Sequence, residues 1–343
     1  MTTIGLLINP IAFSIGPISV HWYGIILGLG ALAGLLLAIR EGKRFGLSSD
    51  FFMDLLLLGV PSAIIAARAY FVAFKWDYYK QNPGEIFSIW NGGIAIYGAL
   101  IGAVICAVIY TRSKGYSFWR IADICAPSLL IGQIIGRWGN FVNQEAYGGA
   151  VTKRFLTDEL HLPNWIVNQM YVEQDGLFHH PTFLYESLWN VLGILLIFVI
   201  RRRPWMRAGE VFISYLIWYS IGRFFIEALR TDSLAFVGPS WLASFMDALW
   251  SPMTAVFQAG YLDPSYGNVR ISQLIAVLLV IACIALIVVR RQTGMAAERY
   301  VDPIINRKTG LPAGTEPEAT VSNASAQPKE NQHEQQEDKK PTV

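Results

Sequence analysis

Seven apolar stretches of nearly membrane-spanning length dominate the chain, centred on residues 18–39, 51–74, 93–110, 119–136, 181–200, 209–229 and 271–290. A hydrocarbon core about 30 Å thick requires roughly 20 apolar residues per spanning helix. With 53% of its residues hydrophobic and only 15% charged, the chain is far more apolar than a soluble domain. The expected fold is therefore all-α, a polytopic membrane helix bundle of about seven transmembrane helices.

Charge placement orients the bundle. Arg40, Lys43 and Arg44 follow the first stretch, Arg112, Lys114 and Arg120 the third, Arg201, Arg202, Arg203 and Arg207 the fifth, and Arg290 and Arg291 close the last. The connections 75–92, 137–180 and 230–270 carry mixed charge. By the positive-inside rule the basic loops are cytoplasmic, which places the N-terminus outside and the C-terminus inside. Residues Met1–Gly16 lack the basic segment and small-residue cleavage site of a removable signal peptide, so the first helix is expected to be anchor and export signal together.

The connection 137–180 is longer than two neighbouring helices need, and a small outer-face subdomain is expected over about 140–180. Residues 1–300 then form the membrane-embedded domain. From 301 to 343 the composition turns to Pro, Glu, Gln, Asn and Lys, which predicts a disordered cytoplasmic tail. Cys106, Cys125 and Cys283 lie in apolar stretches without disulfide or metal spacing, and the histidines lack the i, i+4 pairing of a zinc helix. No metal, no cofactor and no nucleic-acid partner is expected.

Ionisable and amide groups at hydrocarbon depth are costly and point to function. The run Gly136-Arg137-Trp138-Gly139-Asn140-Phe141-Val142-Asn143-Gln144-Glu145 holds an arginine, two asparagines and a carboxylate at the end of an apolar stretch. Arginine offers a planar fork of donors that matches phosphate two oxygens at a time. Tyr23, Arg68, Tyr97, Glu186, Arg223 and Glu227 are further polar groups near the expected outer face, and Asp123 is one near the inner face. Arg223 and Glu227 are four apart and share a helix face, which fits a plain ion pair as well as a site. Two guanidiniums on separate helices repel unless an anion or carboxylates lie between them. Glycines at four-residue spacing, Gly24, Gly28, Gly30 and Gly34, and then Gly98 and Gly102, predict close helix packing.

On these residues the chain resembles the phosphatidylglycerol–prolipoprotein diacylglyceryl transferases of bacterial inner membranes. The run from Gly136 to Glu145, continuing to Gly148, is similar to that family's signature, and Tyr219-Ser220-Ile221-Gly222-Arg223-Phe224-Phe225-Ile226-Glu227 is similar to its late arginine–glutamate segment. His180 to Glu186, His21-Trp22-Tyr23-Gly24 and the Asp123 helix also fit, so the likeness covers roughly residues 1–295. Tyr97-Gly98-Ala99-Leu100 stands where the family carries histidine–glycine–glycine–leucine. A phenol at neutral pH is a donor rather than a base.

The resemblance implies transfer of the diacylglyceryl group of phosphatidylglycerol to the cysteine thiol of a preprolipoprotein lipobox within the bilayer, with release of glycerol 1-phosphate. It further implies a catalytic set of Arg137, Arg223, Tyr97 and Glu227, with Tyr23, Asn140, Glu145, Gly98, Tyr219, Gly148 and Glu186 around the lipid. A transporter or channel for an anionic solute would also use intramembrane arginines, but it predicts an internal repeat, and the Arg137 segment has no partner in the other half of the chain. A structural scaffold leaves the cost of Arg137 and Arg223 unexplained.

Overall fold

The computed structural model describes residues 7–257, 259–262 and 265–315. Six of its helices are long and apolar enough to cross a membrane: α1 (Trp22–Arg44), α2 (Ser49–Phe74), α4 (Ile96–Ser113), α5 (Phe118–Asn143), α7 (Thr182–Ile200) and α10 (Ile271–Gln292). The seventh expected stretch is α8 (Glu210–Glu227), an 18-residue helix packed against α5, α7 and α10. Glu210, Arg223 and Glu227 lower its apolarity below that of the other six. Short helices α3 (Trp76–Tyr79), α6 (Asn164–Gln169) and α9 (Ser240–Trp250) lie in the connections.

Three small antiparallel sheets sit at helix ends. They are β1 (Ile11–Ile15) with β2 (Ile18–His21), β3 (Ala150–Val151) and β4 (Tyr171–Val172) flanking β5 (Leu177–His179), and β6 (Ala235–Phe236) with β7 (Val269–Arg270). The first spanning helix thus begins at Trp22 rather than at residue 18, because Ile18–His21 pairs with β1 as a hairpin. Residues 144–180 fold around β3, β5, β4 and α6, with Leu156, Ile166, Val167 and Met170 packed on Phe141 and Phe183.

The glycine spacing acts as expected at Gly30, Gly34, Gly98 and Gly102, but not at Gly24 and Gly28, where an added Cβ would meet nothing within 4 Å. At Gly30 and Gly34 an added Cβ would stand 3.3 Å from Gly132 O and 3.0 Å from Ser128 O, so α1 lies backbone to backbone along α5. Gly98 and Gly102 do the same for α4 on α2, where a Cβ at Gly98 would meet Tyr70 Cβ at 2.5 Å.

Two of the polar residues singled out within the spans serve the scaffold. All of the Arg68 hydrogen bonds go to carbonyls, those of Glu85, Ile86, Gly92 and Gly93 at 2.6–2.8 Å, which pins the 83–93 connection onto α2. Asp123 accepts from Gly209 N at 2.6 Å and Phe212 N at 2.8 Å. It therefore caps the N-terminus of α8 from a neighbouring helix, satisfying two backbone donors that α8 cannot satisfy itself.

The expected start of the tail needs correction. Residues 301–315 pack onto the helix ends, with Ile304 only 2% exposed in a cluster with Phe51, Phe52, Tyr110 and Ile121. Arg120, itself buried, donates to the carbonyls of Arg299, Tyr300 and Asp302. A polar segment with one well-placed isoleucine can dock on an existing core, although it could not build one. The rest of the expected tail, 316–343, lies outside the described residues. Ile304→Ala is expected to cost about 2–4 kcal/mol, read as a lowered thermal midpoint in detergent. An unchanged midpoint would show the segment to be undocked.

Candidate functional site

The site is built where α5, α7 and α8 meet. Helix α5 runs seven residues past the apolar stretch, through Arg137, Asn140 and Asn143. Polar side chains do not end a helix. The helix stops at Gln144, a non-glycine residue at φ +51°, followed by Ala146 at +57°. Such left-handed backbone needs outside support. The Gln144 side-chain amide supplies it, donating to Gln169 O and Tyr171 O at 2.8 Å each. The reversed chain sets Glu145 back beside α5, where Asn140 Nδ2 donates to Glu145 Oε1 at 2.8 Å.

Arg137 and Arg223 are brought together by one carboxylate. Glu186 on α7 pairs through Oε2 with Arg137 Nε and through Oε1 with Arg223 NH1, the latter at 3.4 Å. Arg223 NH2 also pairs with Glu227 Oε2 at 2.6 Å. The carboxylates thus answer the repulsion between the two guanidiniums. Their burial is unequal, and that decides what the cluster presents. The side chains of Glu186 and Glu227 are 8% and 3% exposed, while those of Arg137 and Arg223 are 22% and 20% exposed. The acids hold the arginines from behind, and each guanidinium keeps donors on its open edge.

Around this pair, Arg137 NH1 reaches Asn140 Oδ1 at 3.4 Å. Tyr23 of α1 packs its ring where a Cβ on Gly139 would stand, and lies within electrostatic reach of Glu145 and Arg137. Asn143 Oδ1 is buried without a hydrogen-bond partner among the described residues. Arg230, three residues past Glu227, was not among the expected site residues. It lies within electrostatic reach of Glu227 and Glu186, and it grips Asp232 with two bonds of 2.8 and 2.6 Å. Its spacing of three from Glu227 and seven from Arg223 was the available signal.

Four other expected site residues form no hydrogen bond or ion pair with Arg137, Arg223, Glu186 or Glu227 among the described residues. Tyr97, 45% exposed at the start of α4, makes no hydrogen bond or ion pair among the described residues. Gly98 serves the α2–α4 contact. Tyr219 packs among apolar side chains and stacks on Tyr215. Gly148 is a close-approach glycine: its N donates to His180 O at 3.0 Å, and a Cβ there would fall 2.7 Å from His180 Cβ.

His180 is buried just ahead of α7, with Nδ1 3.2 Å from the Tyr185 hydroxyl. Burial, then the neighbouring His179, pushes its imidazole down to about 4. Because the folded pKa lies below the unfolded one of about 6.5, the unfolded chain binds more protons as the pH falls. Stability is therefore full above about 6.5 and lost progressively from there toward 4, by at most about 1.4 kcal/mol per unit. The thermal midpoint in detergent is expected to fall over that window and to fall less in His180→Gln. An equal decline in both proteins would remove His180 as the cause.

Fold and site together define a polytopic membrane protein with a pair of carboxylate-backed arginines among its helices. The family model described as prolipoprotein diacylglyceryl transferase matches residues 10–289. Proteins named phosphatidylglycerol–prolipoprotein diacylglyceryl transferase are similar over most of their length. One from Bacillus velezensis is 49% identical over 302 residues, covering 88% of this chain and 99% of its own. One from Bacillus licheniformis is 51% identical over 293 residues, 85% of this chain and 96% of its own. One from Lysinibacillus sphaericus is 59% identical over 233 residues, 68% of this chain and 85% of its own. The chain belongs to the prolipoprotein diacylglyceryl transferase family.

Proposed function

We infer that this chain is the enzyme its family and relatives describe, moving the diacylglyceryl group of phosphatidylglycerol onto the lipobox cysteine of a preprolipoprotein. The observation that supports it at the site is the arrangement of Arg137 and Arg223, held from behind by Glu186 and Glu227 with their outer edges open. In the transfer the peptide sulfur forms a bond to the glyceryl carbon as that carbon's bond to the phosphate oxygen breaks. The glycerol 1-phosphate leaves with the electron pair of the broken carbon–oxygen bond, and the thiol proton ends on that phosphate or in solvent. Negative charge grows on the phosphate, and donors fixed in advance at that point lower the barrier.

In this reading Arg137 and Arg223 clamp the phosphate, and Glu227 and Glu186 position them. Asn140, Glu145 and Tyr23 line the headgroup side. No cysteine of this chain need act, because the substrate brings the thiol. Helix α8 is the seventh span, with the N-terminus outside, the C-terminus in the cytoplasm and residues 144–180 as the outer-face subdomain. The purified full chain, given phosphatidylglycerol and a lipobox peptide, is expected to add one diacylglyceryl mass to the peptide cysteine. A peptide left unmodified by folded protein would sink the reading.

Tyr97 makes no hydrogen bond or ion pair among the described residues and is assigned as a donor to the phosphoryl group. Tyr97→Phe is expected to slow transfer by about 10²–10³, as when one preorganised donor is lost, and Tyr97→His to restore part of the rate. Full activity in Tyr97→Phe would reduce the residue to packing. A basic limb of the pH–rate profile that disappears in that variant would make the phenol a base instead.

A further inference from the structure

At the opposite ends of these helices, where α7 ends, α8 begins and α10 stops at Arg290, Arg291 and Gln292, a second cationic site is built. Part of it comes from residues past 289, the end of the family match. The chain turns back at Gly294, φ +72°, and residues 298–300 run antiparallel to 206–208. Ala208 N donates to Glu298 O at 2.9 Å, Tyr300 N donates to Met206 O at 3.0 Å, and Arg207 stands directly opposite Arg299. Opposed residues on such a pair leave the same face with Cβ atoms roughly 5 Å apart, and like charges so placed repel.

Both arginines line one cavity of about 440 Å³ together with Arg291, Pro204, Trp205 and Ala297. Among the described residues only Arg291 of the three pairs its guanidinium directly with a carboxylate, meeting Glu210 at 2.6 and 2.8 Å, while Arg207 lies within electrostatic reach of the same Glu210. Glu210 Oε2 also accepts from Arg207 N at 3.0 Å, so both oxygens of that carboxylate are in use. The nearby acids are turned to other partners: Glu298 faces Arg120 at 3.9 Å, and Asp302 Oδ2 accepts Arg299 N at 2.7 Å. Among the described residues the Arg299 guanidinium has no hydrogen bond or ion pair, and that of Arg207 has one, to Ala296 O at 3.3 Å.

Trp205, Met295 and Val301 are exposed close by in the chain. An anion between the guanidiniums would relieve their repulsion, and hydrocarbon could lie along the exposed apolar groups. We propose that this cavity binds a phosphate group, supplied by an anionic phospholipid of the adjoining leaflet. The site is distinct from the Arg137–Arg223 cluster and does not depend on the transferase reading.

Native mass spectrometry of the full chain released from detergent tests it, with phosphatidylserine as the anionic probe and phosphatidylcholine as the zwitterionic control. The wild type is expected to keep one more phosphatidylserine than R207S/R299S, whose affinity at this site falls at least about tenfold, equivalent to about 1.4 kcal/mol. Phosphatidylcholine shows no such difference, and diacylglyceryl transfer in detergent stays unchanged. Arg299→Ser alone, which removes an exposed side chain without a hydrogen-bond or ion-pair partner among the described residues, carries the test should the double variant fail to fold. A thermal shift given by inorganic phosphate to the wild type but not to the variant, without retained phosphatidylserine, would support the phosphate site and overturn the lipid as its source. Equal lipid retention and no phosphate response in wild type and variant would overturn the proposal. So would an equal loss in R202S/R203S, which would leave only diffuse basic charge attracted to the leaflet.

Discussion

Arg137→Lys is expected to lose transfer by about 10²–10³ although the charge is kept, the scale found when one preorganised donor at a developing oxyanion is removed. Arg137 spends Nε on Glu186 and reaches Asn140 with NH1, leaving the rest of a rigid fork for the phosphate. An ammonium drawn to Glu186 has no second, fixed set of donors to offer. The measurement is the initial rate of peptide modification at saturating phosphatidylglycerol, with the thermal midpoint as control. Near-normal turnover in folded Arg137→Lys protein would remove this residue from the clamp. Arg223→Ala is expected to be at least as damaging. If it unfolds the protein, the ion pair with Glu227 is chiefly structural.

Glu186→Gln is expected to damage both stability and rate. The wild-type carboxylate neutralises two guanidiniums on two helices, and the amide leaves Arg137 without an ion pair and Arg223 with that to Glu227 among the described residues. Removing one partner of a buried ionic group costs about 3–5 kcal/mol, and the partly exposed arginines put this case toward the lower end. A falling thermal midpoint together with a rate loss per folded molecule is the expected pair of results. Unchanged values for both would make Glu186 a bystander and leave the arginines held by other means.

The spanning helices were legible because a bilayer imposes one length on every apolar run, and all seven stretches are helices whose ends shift by a few residues. The arginine run was legible for the same reason, since charge at that depth is costly. What misled was reading polarity as a helix end at Arg137 and as a tail at residue 301. Helix α5 ends through the Gln144 turn, supported from Gln169 and Tyr171, and the segment around Ile304 is held by Arg120 and the cluster of Phe51 and Tyr110. Those partners are far away in sequence.

The sequence by itself determined the membrane bundle, the family and the residue types of the site, because hydropathy, glycine spacing and a contiguous signature are all local properties. Only the tertiary structure decided which polar groups belong together. Arg68 and Asp123 carry the same buried charge as Arg137 and Glu186 when read along the chain. In space the first two are occupied by backbone groups of a loop and a helix start, whereas Arg137 and Arg223 share one buried carboxylate and keep an open edge. The difference lies in which partners saturate each side chain, and hydrogen-bond partners tens of residues apart are set by packing of the helices.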